Sequence, residues 1–467
     1  MAFTDRLANR GSISTGYDID NSLKLERSNS ENIYRQIING NRRTWTSSLW
    51  VKRVDTATSG YNLFFNHGIY GSGTYLMFQS NDTLKIGIES YSGQTTQITN
   101  AVFRDTAAWM HIVWRVDTTQ GTEADRSRVY INGAQVTSFS SASYPSQNTE
   151  TLANLDHSGY DDVELGYKDA SIFSNMYYAD IYHVDGESLA PTEFGEYDST
   201  SGIWKPIEAD ISDFGNNGFY LKFDDSSALG ADSAGNGSFT LSNIAAADQS
   251  TDTPTNNFCT LNPIVNFKYT TNGITEGGTE FGDNTGGGIG GAFGTFGVTA
   301  GKWYWECKLV QQTDHYIGIS ADDGDNVHAS SDPQDINSSF IFAIGAARIE
   351  YINSGTKTYG STDAFTDFHS TGDIIGIALN MDDNQITMYG NGTVQSGVAA
   401  SSLYDAANKM VMPFHGTIND TVQYNFGGYC AYTISSAQTD ANGYGTFEYA
   451  PPSGYYALCT KNLAEYG

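Results

Sequence analysis

The sequence predicts an all-β protein built from two β-sandwiches in tandem, one in each half. The first observation is a strand over 374–381, in which apolar side chains recur with a period of two, followed by a polar turn and a second strand over 386–389. The second is a similar pair of strands over 109–131; both pairs end in Tyr-x-Asn-Gly, which favours a tight turn. The third is the composition, with 30 Tyr, 50 Gly and only 9 Pro, which is typical of many short strands joined by turns.

Length and charge limit the classes of function. A chain of 467 residues suits two domains with sizeable cores. The formal net charge is −29, from 53 acidic against 24 basic residues, so nucleic acid and anionic membranes would be repelled. No apolar run is long enough to span a membrane. The acidity favours solubility, and the alternative is a set of cation sites.

The four cysteines are predicted to be reduced. Cys259, Cys307, Cys430 and Cys459 show no CxxC spacing, and in so long a chain they favour buried thiols over a disulfide framework. The first residues contain no apolar core of a signal peptide. We therefore expect synthesis and folding in a cytoplasm, with release by another route.

The first half is predicted to contain an N-terminal arm over 1–20 and a sandwich over 21–249. A strand over 44–53 carries Trp45 and Trp50 in different registers, which predicts a bulge within it. Leu189–Phe194 is predicted to be a short helix or turn with Pro191 at an early position. A strand over 218–224 follows the body of the domain and is predicted to return to it. The other strands expected here are 21–25, 62–65, 74–78, 83–88, 163–166 and 177–184.

A polar segment over 250–264, which holds two of the nine prolines, is predicted to be the linker between the domains. The second domain, 265–467, begins with a glycine-rich stretch over 273–297 that predicts turns and weak strands. A G-x-G-x-x-G match lies within it, but no strand–helix unit surrounds the match, so a dinucleotide site is disfavoured. The end of the chain, 451–458, is predicted to be an extended segment packed on this domain.

Several phrases of the first half carry a family resemblance. Trp50-Val51-Lys52, Trp109–Val113 and Val129–Gly133 follow the order W-hydrophobic-K, W-hydrophobic-H-hydrophobic-V and hydrophobic-Y-hydrophobic-N-G. This order resembles the laminin G-like, concanavalin A-type lectin domain found in virion proteins of marine tailed phages. The phrases FGEYDSTSGIWKPIE (194–208) and TDTPTNNFCTLNP (251–263) are similar to the marine-phage versions.

The second half resembles a SPRY domain over about 265–432. The phrases GKWYWE, GDIIGIALNMDDNQITMYGNG and NFG occur in the order expected of that family. Together the two resemblances imply two jelly-roll-like, concanavalin A-type sandwiches.

No catalytic pattern is found, so the protein is predicted not to be an enzyme. Glucanases of the concanavalin A type carry two carboxylates on one strand, within a Glu-x-Asp-x-x-Glu run. The matching strand here has Asp180 inside it and Asp185 at its end, and no such run exists. His111 and His183 lie within strands and favour core or sheet positions over a role as bases.

The resemblance to laminin G-like domains implies a calcium site at one rim of the first sandwich. The candidate ligands are Asp224, Asp225, Asp232 and Asn236, because calcium prefers oxygen ligands that converge at a loop. The alternative is that these side chains form Asx turns with their own backbone. A second acidic loop over 322–326 is a weaker candidate.

Glycan binding requires aromatic faces that stack on sugar rings. Tyr61, Tyr70, Tyr91 and Tyr160 lie in predicted loops or at strand ends and are the candidate residues.

The sequence therefore predicts a non-enzymatic structural or adhesion protein of a tailed-phage virion, such as a tail fibre, baseplate appendage or head decoration. The expected partners are other virion proteins and a host-surface glycan, with the chain present as a homo-oligomer or in many copies. It would be made in the host cytoplasm and reside at the virion surface. The alternatives are a polysaccharide depolymerase and a purely structural virion connector.

Overall fold

A computed structural model describes residues 16–56, 61–66, 73–157, 162–167, 172–264, 273–282, 290–311, 315–321, 338–344, 348–353, 356–359, 370–395, 410–417 and 420–467. The chain divides into two compact units, with the boundary between Thr255 and Asn256. Nearly all regular structure in them is β-strand, so the predicted all-β class is confirmed. In the described ranges, no helix is long and apolar enough to cross a membrane.

The first unit consists of two main sheets and a short separate hairpin. Its strands are β1 (Ser22–Leu25), β2 (Asn32–Gln36), β3 (Thr44–Arg53), β4 (Tyr61–Asn66), β5 (Thr74–Phe78), β6 (Thr83–Ser90), β7 (Gly93–Val102), β8 (Met110–Asp117), β9 (Ser127–Ile131), β10 (Ala134–Gln135), β11 (Phe139–Ala142), β12 (Asp162–Leu165), β13 (Met176–Asp185), β14 (Gly195–Tyr197), β15 (Trp204–Pro206), β16 (Phe219–Leu221), β17 (Thr240–Ser242) and β18 (Gln249–Ser250). One sheet has the order β10-β9-β8-β3-β13-β1-β18, with β16 also paired to β13. The other has the order β11-β7-β6-β5-β4-β12-β2-β17, and β14 pairs with β15.

One hydrophobic core fills the space between the two main sheets of this unit, with buried side chains from both. Trp45 of β3 and Trp114 of β8 meet edge to face in it, with ring centroids 4.5 Å apart. Trp50 lies on the opposite face of β3 and stacks on His111 at 4.6 Å. β3 pairs with β8 without a register shift. Trp45 and Trp50 therefore point to opposite faces because they are five positions apart and side chains alternate between the faces of a strand. The bulge predicted within 44–53 is instead in the neighbouring strand β13.

The predicted returning strand and the predicted short turn are both present in the first unit. β16 pairs antiparallel with β13, with Leu221 opposite Ile181, so the segment after the domain body does complete this sandwich. Pro191–Glu193 forms a single 3-10 turn with proline at its start.

The second unit also contains two main sheets. Its elements are β19 (Ile274–Thr275), β20 (Glu280–Gly282), β21 (Gly290–Phe293), β22 (Lys302–Leu309), β23 (His315–Ala321), β24 (Ser338–Ala343), β25 (Arg348–Asn353), β26 (Thr356–Tyr359), β27 (Ile374–Asn380), β28 (Gln385–Gly390), β29 (Thr393–Val394), β30 (Val411–Thr417), β31 (Thr421–Asn425), β32 (Tyr456–Ala457) and the helix α1 (Thr460–Tyr466). The sheet orders are β19-β20-β31-β22-β27-β28-β29, with β32 added alongside β22, and β21-β30-β23-β24-β25-β26. A second hydrophobic core joins these sheets.

The two hairpins predicted from the sequence are confirmed, and they end in the same way. Asn132 and Asn391 adopt left-handed φ values of 48° and 46°. The side-chain oxygen of Asn132 accepts the backbone N–H of His111 at 2.8 Å, while its own N–H donates to the His111 carbonyl at 2.9 Å. Asn391 makes the same pair of hydrogen bonds with Ile374, at 2.9 and 2.8 Å. The asparagine amide thus continues the hydrogen-bond ladder by one step beyond the strand.

The segment predicted to be the linker, 250–264, contains the boundary between the units but is largely buried. Within the first unit, Asp252 lies 2.7 Å from the Lys52 ammonium and also accepts the Trp109 indole N–H at 2.9 Å. Within the second unit, Phe258 forms a β-bridge with Cys459. The part of the segment up to Thr255 is therefore packed into the first unit, and the part from Asn256 onward is packed into the second.

The C-terminal end of the chain is only partly as predicted. β32 runs parallel to β22, which confirms an extended segment packed on the second domain. The helix α1, which the sequence did not predict, follows directly. All four cysteines are free thiols, and Cys430 is the only one that is not fully buried.

Candidate functional site

The candidate site lies where one sheet of the first unit is split along the edge of β13. β3 pairs with β13 along one side. On the other side β1 pairs with the first part of β13, as far as Leu23 opposite Tyr178. From Ile181 onward that side is paired with β16. The two short strands therefore separate beside Asp180 and leave it without a strand neighbour on that side.

Asp180 occupies a β-bulge. The pairing with β3 advances from Ala179 opposite Trp50 to Tyr182 opposite Ser48, so β13 contains one extra residue at this point. Asp180 has φ +50°, in the left-handed region, which costs a residue other than glycine about 1–2 kcal/mol. Aspartate tolerates this conformation better than most residues. Bulges and strained residues of this kind redirect a side chain, and they are frequent at functional sites.

Tyrosine hydroxyls surround the Asp180 carboxylate. Tyr17 and Tyr220 each donate a hydrogen bond of 2.8 Å to its Oδ1 atom. Tyr182 stacks on Tyr220 with ring centroids 4.0 Å apart. The Tyr182 hydroxyl also interacts with Asp180, Tyr17 and Tyr220, and the two hydrogen bonds of 2.8 Å to Asp180 both fall on Oδ1. The Oδ2 atom of Asp180 thus remains able to accept a hydrogen bond from a ligand.

Burial dominates the electrostatics of this group. Asp180 is 3% exposed, and burial raises its pKa to about 6, although hydrogen bonds from Tyr220 and Tyr17 oppose the rise. Burial, and next the nearby charge of Asp180, raise the pKa of Tyr17, Tyr182 and Tyr220. At neutral pH the site therefore holds an ionised carboxylate among neutral phenols.

A cavity of about 150 Å³ opens beside Asp180. It is smaller than the roughly 300–1,000 Å³ of sites for drug-sized ligands, so it suits one small polar group or the end of a larger molecule. Its lining contains four carboxylates, two phenols, one amide and one ammonium group. These belong to Asp18, Asp20, Asp180, Asp224, Tyr17, Tyr220, Asn21 and Lys222, with Ile19 beside them.

The two strand histidines are buried in the sheet of β13, as predicted. His111 accepts the Trp204 indole N–H at 2.9 Å and lies 2.8 Å from the Ser48 hydroxyl. His183 lies 2.9 Å from the Ser47 hydroxyl. Burial lowers the pKa of each imidazole to about 3, so both are neutral at physiological pH. Both imidazoles are enclosed by packed side chains.

Asp232, the central residue of the predicted calcium site, is already fully engaged. Its carboxylate forms a salt bridge of 3.0 Å with Arg35, with the Asp232 side chain 1% exposed. The same carboxylate accepts backbone N–H groups from Tyr220, Ala234 and Asn236, at 2.9, 2.9 and 3.0 Å. A carboxylate with these four donors does not fit a calcium ligand.

The other three candidate ligands do not join Asp232 in a shared site. Asp225 binds the backbone and hydroxyl of Ser227, and the Asn236 amide donates to the carbonyls of Gly215 and Gly218. Asp224 lines the cavity beside Asp180 instead. Over the described ranges, no three acidic, histidine or cysteine side chains are grouped to hold a metal. The geometry favours the Asx-turn alternative for Asp225 and Asp232.

Of the four predicted glycan-binding tyrosines, the structure describes the side chain of Tyr91 alone, and it does not line this cavity. Tyr91 is 56% exposed in the turn between β6 and β7, and the Arg42 guanidinium lies 5.3 Å from its ring centroid. Tyr61 lies in β4, but its side chain is outside the described structure, as are Tyr70, Tyr160 and the acidic loop 322–326.

A buried carboxylate in the second unit has a different character. Glu306 of β22 is fully buried, and its Oε1 atom accepts the Tyr304 hydroxyl at 3.0 Å and the backbone N–H of Tyr449 at 2.8 Å. Its Oε2 atom accepts the Tyr432 hydroxyl at 3.0 Å and the backbone N–H of Glu448 at 2.9 Å. Every donor is internal, so Glu306 holds the segment after β31 to the sheet.

The sequence analysis singled out two members of this site, Asp180 and, as a proposed calcium ligand, Asp224, but it missed the tyrosine partners. Asp180 stood out as an acid inside an aromatic and apolar strand. Tyr17 lies in the segment predicted to be a free arm, and Tyr220 lies in the returning strand. No sequence spacing signals that these residues meet, because they are 163 and 40 positions from Asp180.

Two family models match the chain. Residues 27–166 match the concanavalin A-like lectin/glucanases superfamily, and residues 302–429 match the SPRY domain. Each match lies within one of the two units. No curated protein matches the chain.

Solved structures resemble the chain at low identity. The SPRY domain of human HERC1 is 18% identical, with 32% of this chain and 89% of that chain covered and a TM-score of 0.25. Domains LG4-5 of the mouse laminin α1 chain are 10% identical, with 94% and 98% covered and a TM-score of 0.31. A heptameric pentraxin from Limulus polyphemus is 14% identical, with 38% and 80% covered and a TM-score of 0.27. The family matches therefore carry the assignment: the chain contains a laminin G-like domain of the concanavalin A-like superfamily, followed by a SPRY domain.

Proposed function

We propose that this chain is a non-enzymatic surface component of a tailed-phage virion that binds a host-surface glycan through the cavity beside Asp180. The observation that carries glycan binding is this cavity itself, lined by hydroxyls, carboxylates and an amide. The cavity lies in the unit whose residues 27–166 match a lectin superfamily, and its lining residues flank that range. Sugars are recognised by such hydrogen-bonding groups, which fix the positions of their hydroxyls.

The virion origin rests on the sequence. The connecting phrases 194–208 and 251–263 resemble those of marine-phage virion proteins. The protein would be synthesised in the host cytoplasm and carried on the virion surface, as a tail fibre, baseplate appendage or head decoration. Its partners would be other virion proteins and the host glycan.

The small cavity supports weak binding by each copy. A site of about 150 Å³ contacts only part of one sugar residue. Useful attachment then requires several copies that bind together through a high effective concentration. We therefore expect a homo-oligomer or many copies on each particle.

A depolymerase is the second candidate, because one observation favours it. Burial raises the pKa of Asp180 to about 6, which suits a general acid. Retaining glycosidases also need a second carboxyl about 5–5.5 Å away, and inverting enzymes need one at about 6.5–9.5 Å. The absence of a Glu-x-Asp-x-x-Glu run supports binding without cleavage.

The test uses the full chain displayed on multivalent beads and polysaccharide purified from the host surface. Retention of polysaccharide with unchanged chain length, measured by size-exclusion chromatography, is the expected result. Shortened polysaccharide that remains intact with Asp180→Asn would establish the depolymerase instead. Absence of retention would leave a purely structural virion connector.

A further inference from the structure

The charge around the Asp180 cavity restricts the glycans that it can accept. Asp18, Asp20 and Asp224 form its exposed acidic rim, against the single ammonium of Lys222. Together with the net charge of −29, this rim would repel a carboxylated or sulfated sugar.

The buried carboxylate inside the cavity provides a second and independent observation. A buried charge is normally paired with an opposite charge. Asp180 forms no salt bridge within the described ranges, and its hydrogen bonds come only from neutral tyrosine hydroxyls. The Lys222 ammonium lies over the Tyr220 ring, 5.1 Å from the centroid, and its charge lowers the pKa of Asp180 without a salt bridge between them. The Oδ2 atom of Asp180 is thus a negatively charged acceptor that still lacks a cationic donor.

We propose that this cavity selects a glycan that carries a free primary ammonium group, namely an amino sugar. The ammonium would donate to Oδ2 of Asp180, and the acidic rim would stabilise its charge. Neighbouring sugar hydroxyls would meet the amide of Asn21, which also lines the cavity. The inference rests on the proposed glycan-binding function and adds the class of sugar to it.

The test compares four ligands on the same soluble polymer carrier. The carriers bear glucosamine, N-acetylglucosamine, glucuronic acid or a plain aminoethyl group, at equal density. Binding of the full chain is measured by biolayer interferometry at pH 7 and physiological salt. We expect the glucosamine carrier to bind at least about tenfold more tightly than the other three, as loss of a charged hydrogen bond predicts.

Matched variants locate the effect. Asp180→Asn keeps the shape and the left-handed backbone but removes the charge. Asp224→Asn removes one charge from the rim with the same small change in shape. Asp225→Asn is the control, because it changes the charge equally at the next residue, outside the cavity lining. We expect about a tenfold loss with Asp180→Asn, a smaller loss with Asp224→Asn, and none with the control. Melting temperatures verify that all three variants fold.

Each other outcome has a definite meaning. Equal binding of glucosamine and N-acetylglucosamine would overturn the selectivity and leave glycan binding intact. Equal binding of glucosamine and aminoethyl carriers, or equal losses with Asp180→Asn and Asp225→Asn, would show general charge attraction and overturn the proposed site. Binding to none of the sugar carriers, combined with no retention of host polysaccharide, would refute the proposed function itself.

Discussion

Glu306→Gln is the most informative single change in the second unit, because it alters one atom in a closed hydrogen-bond network. Each oxygen of the Glu306 carboxylate accepts one tyrosine hydroxyl and one backbone N–H, and Oε2 also accepts the Asn425 amide at 3.4 Å. An amide offers one oxygen and one NH₂ group. In either orientation of the amide, its NH₂ group faces one tyrosine hydroxyl and one backbone N–H, which are themselves donors. The hydroxyl can rotate and accept, but the N–H cannot.

The expected destabilisation follows from that one unpaired N–H. A buried donor without a partner costs about 1–3 kcal/mol. Burial raises the pKa of Glu306, so removal of the charge offsets part of this loss. We expect a net loss of about 1–2 kcal/mol for Glu306→Gln. Glu306→Ala removes the acceptor of all five donors, and its destabilisation should exceed about 4 kcal/mol.

Urea unfolding of the full chain, followed by pulsed hydrogen exchange and mass spectrometry, measures this change within the second unit. Peptides covering β22 report the unfolding midpoint, and an unchanged slope confirms that only stability changed. Glu465→Gln is the control at an exposed glutamate and should shift stability by less than about 0.5 kcal/mol. If Glu306→Gln matched this control, the carboxylate would not be holding the segment to the sheet.

Three further predictions concern the first unit, with one control in the second. His183→Gln removes a buried imidazole whose pKa is lowered to about 3. That imidazole stabilises the fold fully above its unfolded pKa of about 6.5, so between pH 7 and 4.5 the wild type should lose about 2.5 kcal/mol relative to the variant. A constant difference measured by urea unfolding would contradict this. Gly133→Ala adds a Cβ atom 2.4 Å from the Trp204 ring at φ +77°, and it should lower the free energy of unfolding by about 2–4 kcal/mol. The control Gly443→Ala, at φ +82° in open space, should lower it by about 1 kcal/mol. Equal losses in the two variants would exclude a contribution from the tryptophan contact. A calcium chelator should leave the melting temperature of the first unit unchanged, because Asp232 is already paired with an arginine. For the same reason, Asp232→Ala should lower the melting temperature equally with and without calcium. A lower melting temperature of the wild type in chelator would restore the calcium hypothesis.

The paired hairpins show what local sequence decides. In both, the asparagine after the second strand binds the first residues of the preceding strand, 21 and 17 positions earlier. The contacts that specify each hairpin lie within it, so alternating side chains and the Asn-Gly pair are sufficient to predict it.

Short elements could not be predicted in this way. The helix α1 has seven residues and no side-chain cap at its start. Isolated helices of this length are marginal in water. Asn462 within it donates to Asp440 at 2.8 Å, so packing against a distant loop stabilises it.

The sequence by itself determined the all-β class, the two sandwich domains and the candidate strand that carries Asp180, because these follow from periodicity and local turns. Tertiary structure alone decided the site. The bulge at Asp180 arises where β1 and β16 share one edge of β13, and the partners Tyr17 and Tyr220 arrive from opposite ends of the domain. Such a meeting depends on the register of strands that are distant in sequence, and side-chain spacing along one strand contains no information about it.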